Sequence, residues 1–334
     1  MGLRGAGTMA LMLAAAAPAA AQDVPRVRRG PLAARDEWLL AQPLLTLPAG
    51  SPDPLARGAL EMRLDGDWGS DFGWSGGRGG DLRFLVDGEH RSGALTVRRG
   101  LGRGLTLGAR LPALWRGAGI MDGMIDAWHR AFDLPDGGRS YFPDNELLVE
   151  ARDARGRPLA WRGGKGTGLG NLELEAHQVL TGLQDDSGWR TAVVARVGAP
   201  TATGPFAHVG SAAGVQVLAA HPLGARADLY AGFGATMQSR REVDGLVYRR
   251  TRPQGFLAFE GRLTRGWSVI AQLEGAARLV TDIDSYPGSV AYLRVGSKFG
   301  LRHGWTLDGG ITEGIKNEVA ATDFGLVAGI ARKF

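Results

Sequence analysis

The segment from Asp323 to Phe334 constrains the fold more than any other. Its even positions read Phe, Leu, Ala, Ile, Arg and Phe, and its odd positions read Asp, Gly, Val, Gly, Ala and Lys. Successive side chains leave opposite faces of a pleated strand, so this period of two makes a β-strand with one apolar face. A half-buried strand of a soluble sheet alternates in the same way. Repetition separates the two cases. The alternation recurs along the chain in segments of about 9 to 13 residues, the length a tilted strand needs to cross a bilayer.

From Gly58 onward the pattern gives strands over 58–68, 81–99, 105–111, 169–180, 189–198, 214–221, 226–238, 254–263, 267–279, 289–301, 305–313 and 323–334. In the second of these the apolar parity changes from even (Leu82, Phe84, Val86) to odd (Leu95, Val97), which predicts a β-bulge near Gly88 to Gly93. The connections alternate between short and long. That is the layout of transmembrane β-barrels, with short turns and both termini on the periplasmic side. Trp189, Trp267, Trp305 and Phe334 fall beside the short turns, where an aromatic girdle meets the membrane interface. The expected fold is all-β: an antiparallel transmembrane β-barrel of about 12 strands (14 being the alternative) with a short helical insert in one long loop.

Arg4, the apolar run Met9 to Ala17 and Ala19-Ala20-Ala21 make residues 1–21 a signal peptide, with cleavage expected near Ala21. The sequence has no cysteine, which excludes a lipid anchor, a disulfide framework and a thiolate metal site. A closed barrel needs none of them, because its hydrogen-bond ladder leaves no edge. Glycine makes up 53 of 334 residues, yet apolar and charged side chains are too plentiful for disorder. The formal charge is only +5, with Arg scattered rather than clustered among aromatics, so a nucleic-acid surface is excluded. Residues 22–57 carry Pro25, Pro31, Pro43, Pro48, Pro52 and Pro54. They read as an extended periplasmic lead-in to a barrel over 58–334, with Trp38 to Leu47 tucking into its mouth.

The longest connection, 112–168, places Ile120, Met121, Met124, Ile125, Trp128 and Phe132 at helical spacing. This helix is expected to fold over or into the mouth as a plug, with Asp122, Asp126, Trp128, His129 and Arg139 as its functional side chains. Deleting residues 119–139 would then raise flux. Pro31-Leu32, Asp87-Gly88-Glu89, Gly100-Leu101 and, most specifically, the run Met121 to Phe132 with Leu134-Pro135 and Gly137-Gly138-Arg139 carry a resemblance. They resemble the outer-membrane barrel family catalogued as domain of unknown function 3187. Gly168-Leu169-Gly170-Asn171 departs from the Gly-Leu-Gly-Asp pattern of that family. The apolar-face Phe334 likewise resembles the closing strand of bacterial outer-membrane barrels, which the barrel-assembly machinery engages. The resemblance covers nearly all of the mature chain. It implies a barrel in the bacterial outer membrane, in contact with the lipid bilayer, and no activity.

Strand parity places Glu61, Arg63, Asp65, Arg83, Glu175, His177, Arg190, Arg196, Asp228, Tyr230, Glu260, Arg262, Glu274, Arg278, Arg294, Lys298 and Asp308 in the lumen. Acids face bases there, which either neutralises buried charge or builds a constricted path for small polar or anionic solutes. A narrow channel is the expected function. The alternatives are a structural or lipopolysaccharide-interacting envelope protein without transport, and a lipid-modifying outer-membrane hydrolase using His129. Asp126 and His129 could share a helix face as an acid-oriented base. No Ser stands as their nucleophile, however, and no three-ligand metal spacing appears, so no catalytic residue, metal or cofactor is expected. Arg240, Arg241, Arg249, Arg250 and Arg252, at the long-loop end, predict a contact with lipopolysaccharide, because guanidinium groups chelate phosphate.

Overall fold

The computed structural model describes residues 27–36, 38–76, 82–133, 137–182, 188–283, 285–316 and 320–334. The signal peptide and its cleavage point lie outside them. The chain runs β1 (Leu60–Gly76), β2 (Leu82–Gly102) and β3 (Leu105–Gly117), then the helix α1 (Asp122–Phe132). Three short strands follow, β4 (Leu148–Arg152), β5 (Pro158–Leu159) and β6 (Gly166–Leu169). Next come β7 (Leu172–Thr181), β8 (Arg190–Ala199), β9 (Ala212–Pro222) and β10 (Ala227–Gln238). A small hairpin of β11 (Glu242–Val243) and β12 (Leu246–Val247) precedes β13 (Thr251–Arg262), β14 (Trp267–Ala277), β15 (Ser289–Gly300), β16 (Trp305–Lys316) and β17 (Phe324–Lys333).

Twelve of these strands, β1 to β3, β7 to β10 and β13 to β17, form one antiparallel ladder, and β17 pairs back onto β1 to close it. Closure gives each ladder group a partner, which is what lets a sheet stand in hydrocarbon. In the closing pair Leu64 sits opposite Ile330 and Trp68 opposite Leu326, all outward. Leu64, Leu174, Val217, Phe233 and Leu273 belong to the exposed apolar band that alternation requires. At the short-turn end Trp267 stacks on Phe299, with ring centroids 5.9 Å apart, and Arg332 packs over Trp305 and Phe334. These are girdle positions.

The second strand corrects one expectation. The β1–β2 register runs unbroken from Leu60 opposite Arg99 to Ser75 opposite Phe84, so no bulge interrupts residues 88–93. The apolar parity changes for another reason. Beyond the lipid, Phe84 and Val86 point inward and pack with Trp38 and Tyr286 in a core under the long loops. Arg83 stands at the register irregularity opposite Ser75 and Gly76, beside Gly156 and beyond the stretch that lines the lumen.

A second correction concerns the lead-in. Rather than resting in the periplasm, the described residues from Val27 to Arg57 thread the barrel as a two-armed plug. Arg28 and Arg29 sit by the short turns, bonded to Asp228 and Glu260. The tip, Trp38 to Leu44, lies under the long loops, where Trp38, Leu39 and Leu40 are at most 1% exposed. The chain then descends past Ala49, packed with Val194, Leu218 and Tyr230, to Asp53 beside Arg190 at the short-turn end. The β11–β12 hairpin roofs the tip with Val243, Leu246 and Tyr248.

The third correction is the insert. Helix α1 does not enter the mouth; it lies against the outer wall. Met121 and Ile125 pack on Phe324, with Trp68, Trp128 and Ile311 around them. Trp68, Ile311 and Phe324 all belong to the outward register of β1, β16 and β17. The strands explain the placement. β1 has 17 residues and β2 has 21, well beyond the about 9–11 that span a bilayer. Their surplus forms an outer wall above the lipid that α1 covers.

Candidate functional site

The lumen is built from the inward side chains of the ladder and from the plug they hold. Glu260, on β13, accepts from the backbone N–H groups of Arg29 (3.1 Å) and Gly30 (3.0 Å), from the Tyr230 hydroxyl (2.9 Å) and from Ser268 Oγ (2.7 Å). Lys298 Nζ donates to the Arg29 carbonyl at 3.2 Å. Arg28 meets Asp228 at 3.2 Å, and Arg262 pairs with the same carboxylate. Arg35 makes a bidentate contact with Glu173, at 2.9 and 2.7 Å. Asp36 receives Arg252 at 2.6 Å and the Tyr292 hydroxyl at 2.7 Å. Four glutamines, Gln216, Gln238, Gln254 and Gln272, bond plug backbone groups at Pro48, Leu45, Leu47 and Leu32. A strand threaded through a barrel carries backbone polar groups that water cannot reach, and these amides supply the missing partners.

The remaining lumen residues pair with one another. Arg63 spans Asp65 and Asp308, reaching the latter at 2.7 and 2.8 Å. Arg196 meets Glu175 at 2.6 Å, and Arg98 bridges Glu175 (3.2 Å) and Glu61 (3.5 Å). Arg294 meets Glu274 at 3.0 Å. Arg278 lies just past β14 and bonds loop carbonyls instead. Three adjoining clefts run along one side of the plug and share Arg35. Their walls carry Arg35, Arg63, Arg98, Arg110 and Arg196 against Asp65, Asp67, Glu173, Glu175, Asp36 and Asp308. In the largest section the balance is five arginines to three carboxylates, Asp65, Glu173 and Glu175.

Of the five arginines expected at lipopolysaccharide, Arg240, Arg241, Arg249 and Arg250 are exposed at the rim. Arg252 is not. It faces the lumen and binds Asp36, because it already belongs to the inward register of β13.

The insert residues converge on the outer wall. The Glu89 carboxylate accepts the first N–H groups at the start of α1, those of Ile120 and Met121, and the Trp68 indole N–H at 2.8 Å. An anion at a helix N-terminus is favoured by the helix dipole. Gly119 allows that approach, with φ +78° and no room for a side chain against Glu89. Arg139 bridges Asp122 and Asp323, the latter at 2.8 Å, and lies over Phe72. Trp128 packs at a tilt against the rings of Phe132 and Phe324. Asp126 has no ion pair with His129 among the described residues; His129 faces Glu313 and Asp323 instead.

Five of these residues, Arg35, Asp36, Arg98, Arg110 and Glu173, were not among the expected lumen residues, although strand parity puts the last three inside. The first two stand in a proline-rich stretch with no strand period to place them. The adjacency of a charged pair to the wholly apolar Trp38-Leu39-Leu40-Ala41 run was the available signal.

A solved outer-membrane channel shares this fold. The crystal structure of the COG4313 outer membrane channel from Pseudomonas putida F1 superposes with a TM-score of 0.59, covering 86% of this chain and 100% of that one at 13% identity. The NanC porin gives 0.45 at 8% identity, covering 82% of this chain and 100% of that one. No curated protein sequence is similar to this one. A family model described as Protein of unknown function (DUF3187) matches residues 8–334. The segments that carried the resemblance meet in space, Glu89 at the head of α1 and Arg139 beside Asp122. With the match running through barrel, plug and insert alike, the chain belongs to the family described as Protein of unknown function (DUF3187).

Proposed function

We propose that this barrel is an outer-membrane channel that passes small anionic solutes along the arginine-lined side of its own N-terminal plug. The observation that carries this reading is the run of clefts beside the plug, where guanidinium groups outnumber carboxylates in the largest section. Opposed rows of acids and bases set a transverse field across a narrow path; over the three clefts together five arginines face six carboxylates, and the local excess of fixed cations in the largest section favours anions there. Arg262, expected in the lumen, is fully buried on Asp228 and serves the plug's footing. Arg98, about a third exposed in the cleft, is the better probe.

In planar bilayers the purified protein is expected to conduct with anion preference, and Arg98→Glu to shift the reversal potential toward cations. A barrel that stays intact on unheated gels yet passes no ions would favour a structural envelope role instead. The four exposed rim arginines favour contact with lipopolysaccharide phosphates. Reversing Arg240, Arg241, Arg249 and Arg250 together should lower the lipopolysaccharide that co-purifies; an unchanged amount would remove that contact from the account.

A further inference from the structure

The outer wall holds a cluster that the lumen does not use. His129 on α1, Glu313 on β16 and Asp323 just before β17 each present a ligand atom, and the three atoms lie within 4.8 Å of one another. His129 is 6% exposed, and its Nδ1 is buried with no hydrogen-bond partner among the described residues. A buried polar atom without a partner costs on the order of 1–3 kcal/mol. Arg139 binds one carboxylate oxygen of Asp323 at 2.8 Å and also reaches Asp122.

We propose that His129, Glu313 and Asp323 bind a divalent transition-metal cation that clamps α1 to the outer wall of the barrel. The donor set selects the class of ion. Calcium and magnesium favour all-oxygen sites, whereas an imidazole with two carboxylates suits Zn²⁺ or Mn²⁺. Three protein ligands leave a further position for water. His129 comes from α1, and Glu313 and Asp323 from the ends of β16 and β17 far along the chain, so binding one ion ties the insert to the last two strands. Free energy of metal binding to such a site becomes stability of the docked insert. The clamp lies outside the lumen and does not depend on whether the channel conducts.

The test is a Zn²⁺ titration of the chelator-stripped, detergent-solubilised barrel, followed by calorimetry and metal analysis. One Zn²⁺ per chain is expected, with affinity falling about tenfold or more in His129→Ala and in Glu313→Gln. Zn²⁺ should also slow tryptic cleavage after Arg130 in the wild type and not in the variants. Stoichiometric binding that survives both substitutions, or no binding by the wild type, would overturn the proposal. Should a variant fail to form a closed barrel, Cu²⁺ loaded into the wild type decides: its electron paramagnetic spectrum must show coupling to one ring nitrogen, and a spectrum without it sinks the site.

Discussion

Glu260 shows what a single inward side chain does in this lumen. It takes two plug N–H groups, a tyrosine hydroxyl and a serine hydroxyl at once. Hydrogen bonds to a charged group contribute roughly 1.5–3 kcal/mol each, so Glu260→Gln should loosen the lower arm without opening the ladder. The chain has no cysteine, so a cysteine introduced at Ala33 reports on this directly. Its maleimide labelling is expected to speed up in the Gln variant; an unchanged rate would mean that Glu260 does not hold the plug. Asp228 is a harsher case, fully buried between Arg28 and Arg262. Asp228→Ala leaves both guanidiniums short of their counter-charge, a loss of about 3–5 kcal/mol for a buried pair. The unheated gel mobility of the barrel should melt at markedly lower temperature. Parity alone placed Glu260 and Asp228 inside. Their plug partners, Arg28, Arg29 and Gly30, were invisible, because they lie in a segment without periodicity.

Among elements, the helix and the plug exchanged the roles that sequence spacing suggested. The 3.6-residue spacing of Ile125, Trp128 and Phe132 marks a helix over the right stretch, but amphipathicity states only that one face is covered, not by what. The covering surface is the surplus outer wall of β1, β2, β16 and β17. Removing residues 119–139 is therefore expected to leave conductance unchanged while exposing Trp68 and Phe324. Removing residues 38–47 is expected to raise it, since that tip packs under the loops at the centre of the core. Equal effects of the two deletions on single-channel current would contradict this assignment. Strand β2 teaches the same lesson. A change of apolar parity reads as a bulge only if one solvent lies outside along the whole strand, and here lipid gives way to a protein core.

For the whole molecule, closure is the organising fact. β17 joins β1 over ten residue pairs, from Glu61 with Lys333 to Ser70 with Phe324. Phe334 lies at the free end of this seam, backed by Arg332. Deleting Phe334 should cut the yield of assembled barrel in cells while leaving refolding in detergent intact, as measured by heat-modifiable gel mobility. Equal yields would mean the assembly machinery reads some other signal. The sequence by itself determined the strands, most of their outward faces and the alternating loop lengths, and narrowed their number to twelve or fourteen. Those follow from a two-residue period and from turn chemistry, which act between near neighbours. Only the tertiary structure decided what fills the cylinder, where the helix rests and which charges meet. Those depend on contacts between segments as much as 269 residues apart, as with Arg29 and Lys298, and no local pattern encodes which of several compatible surfaces a segment will cover.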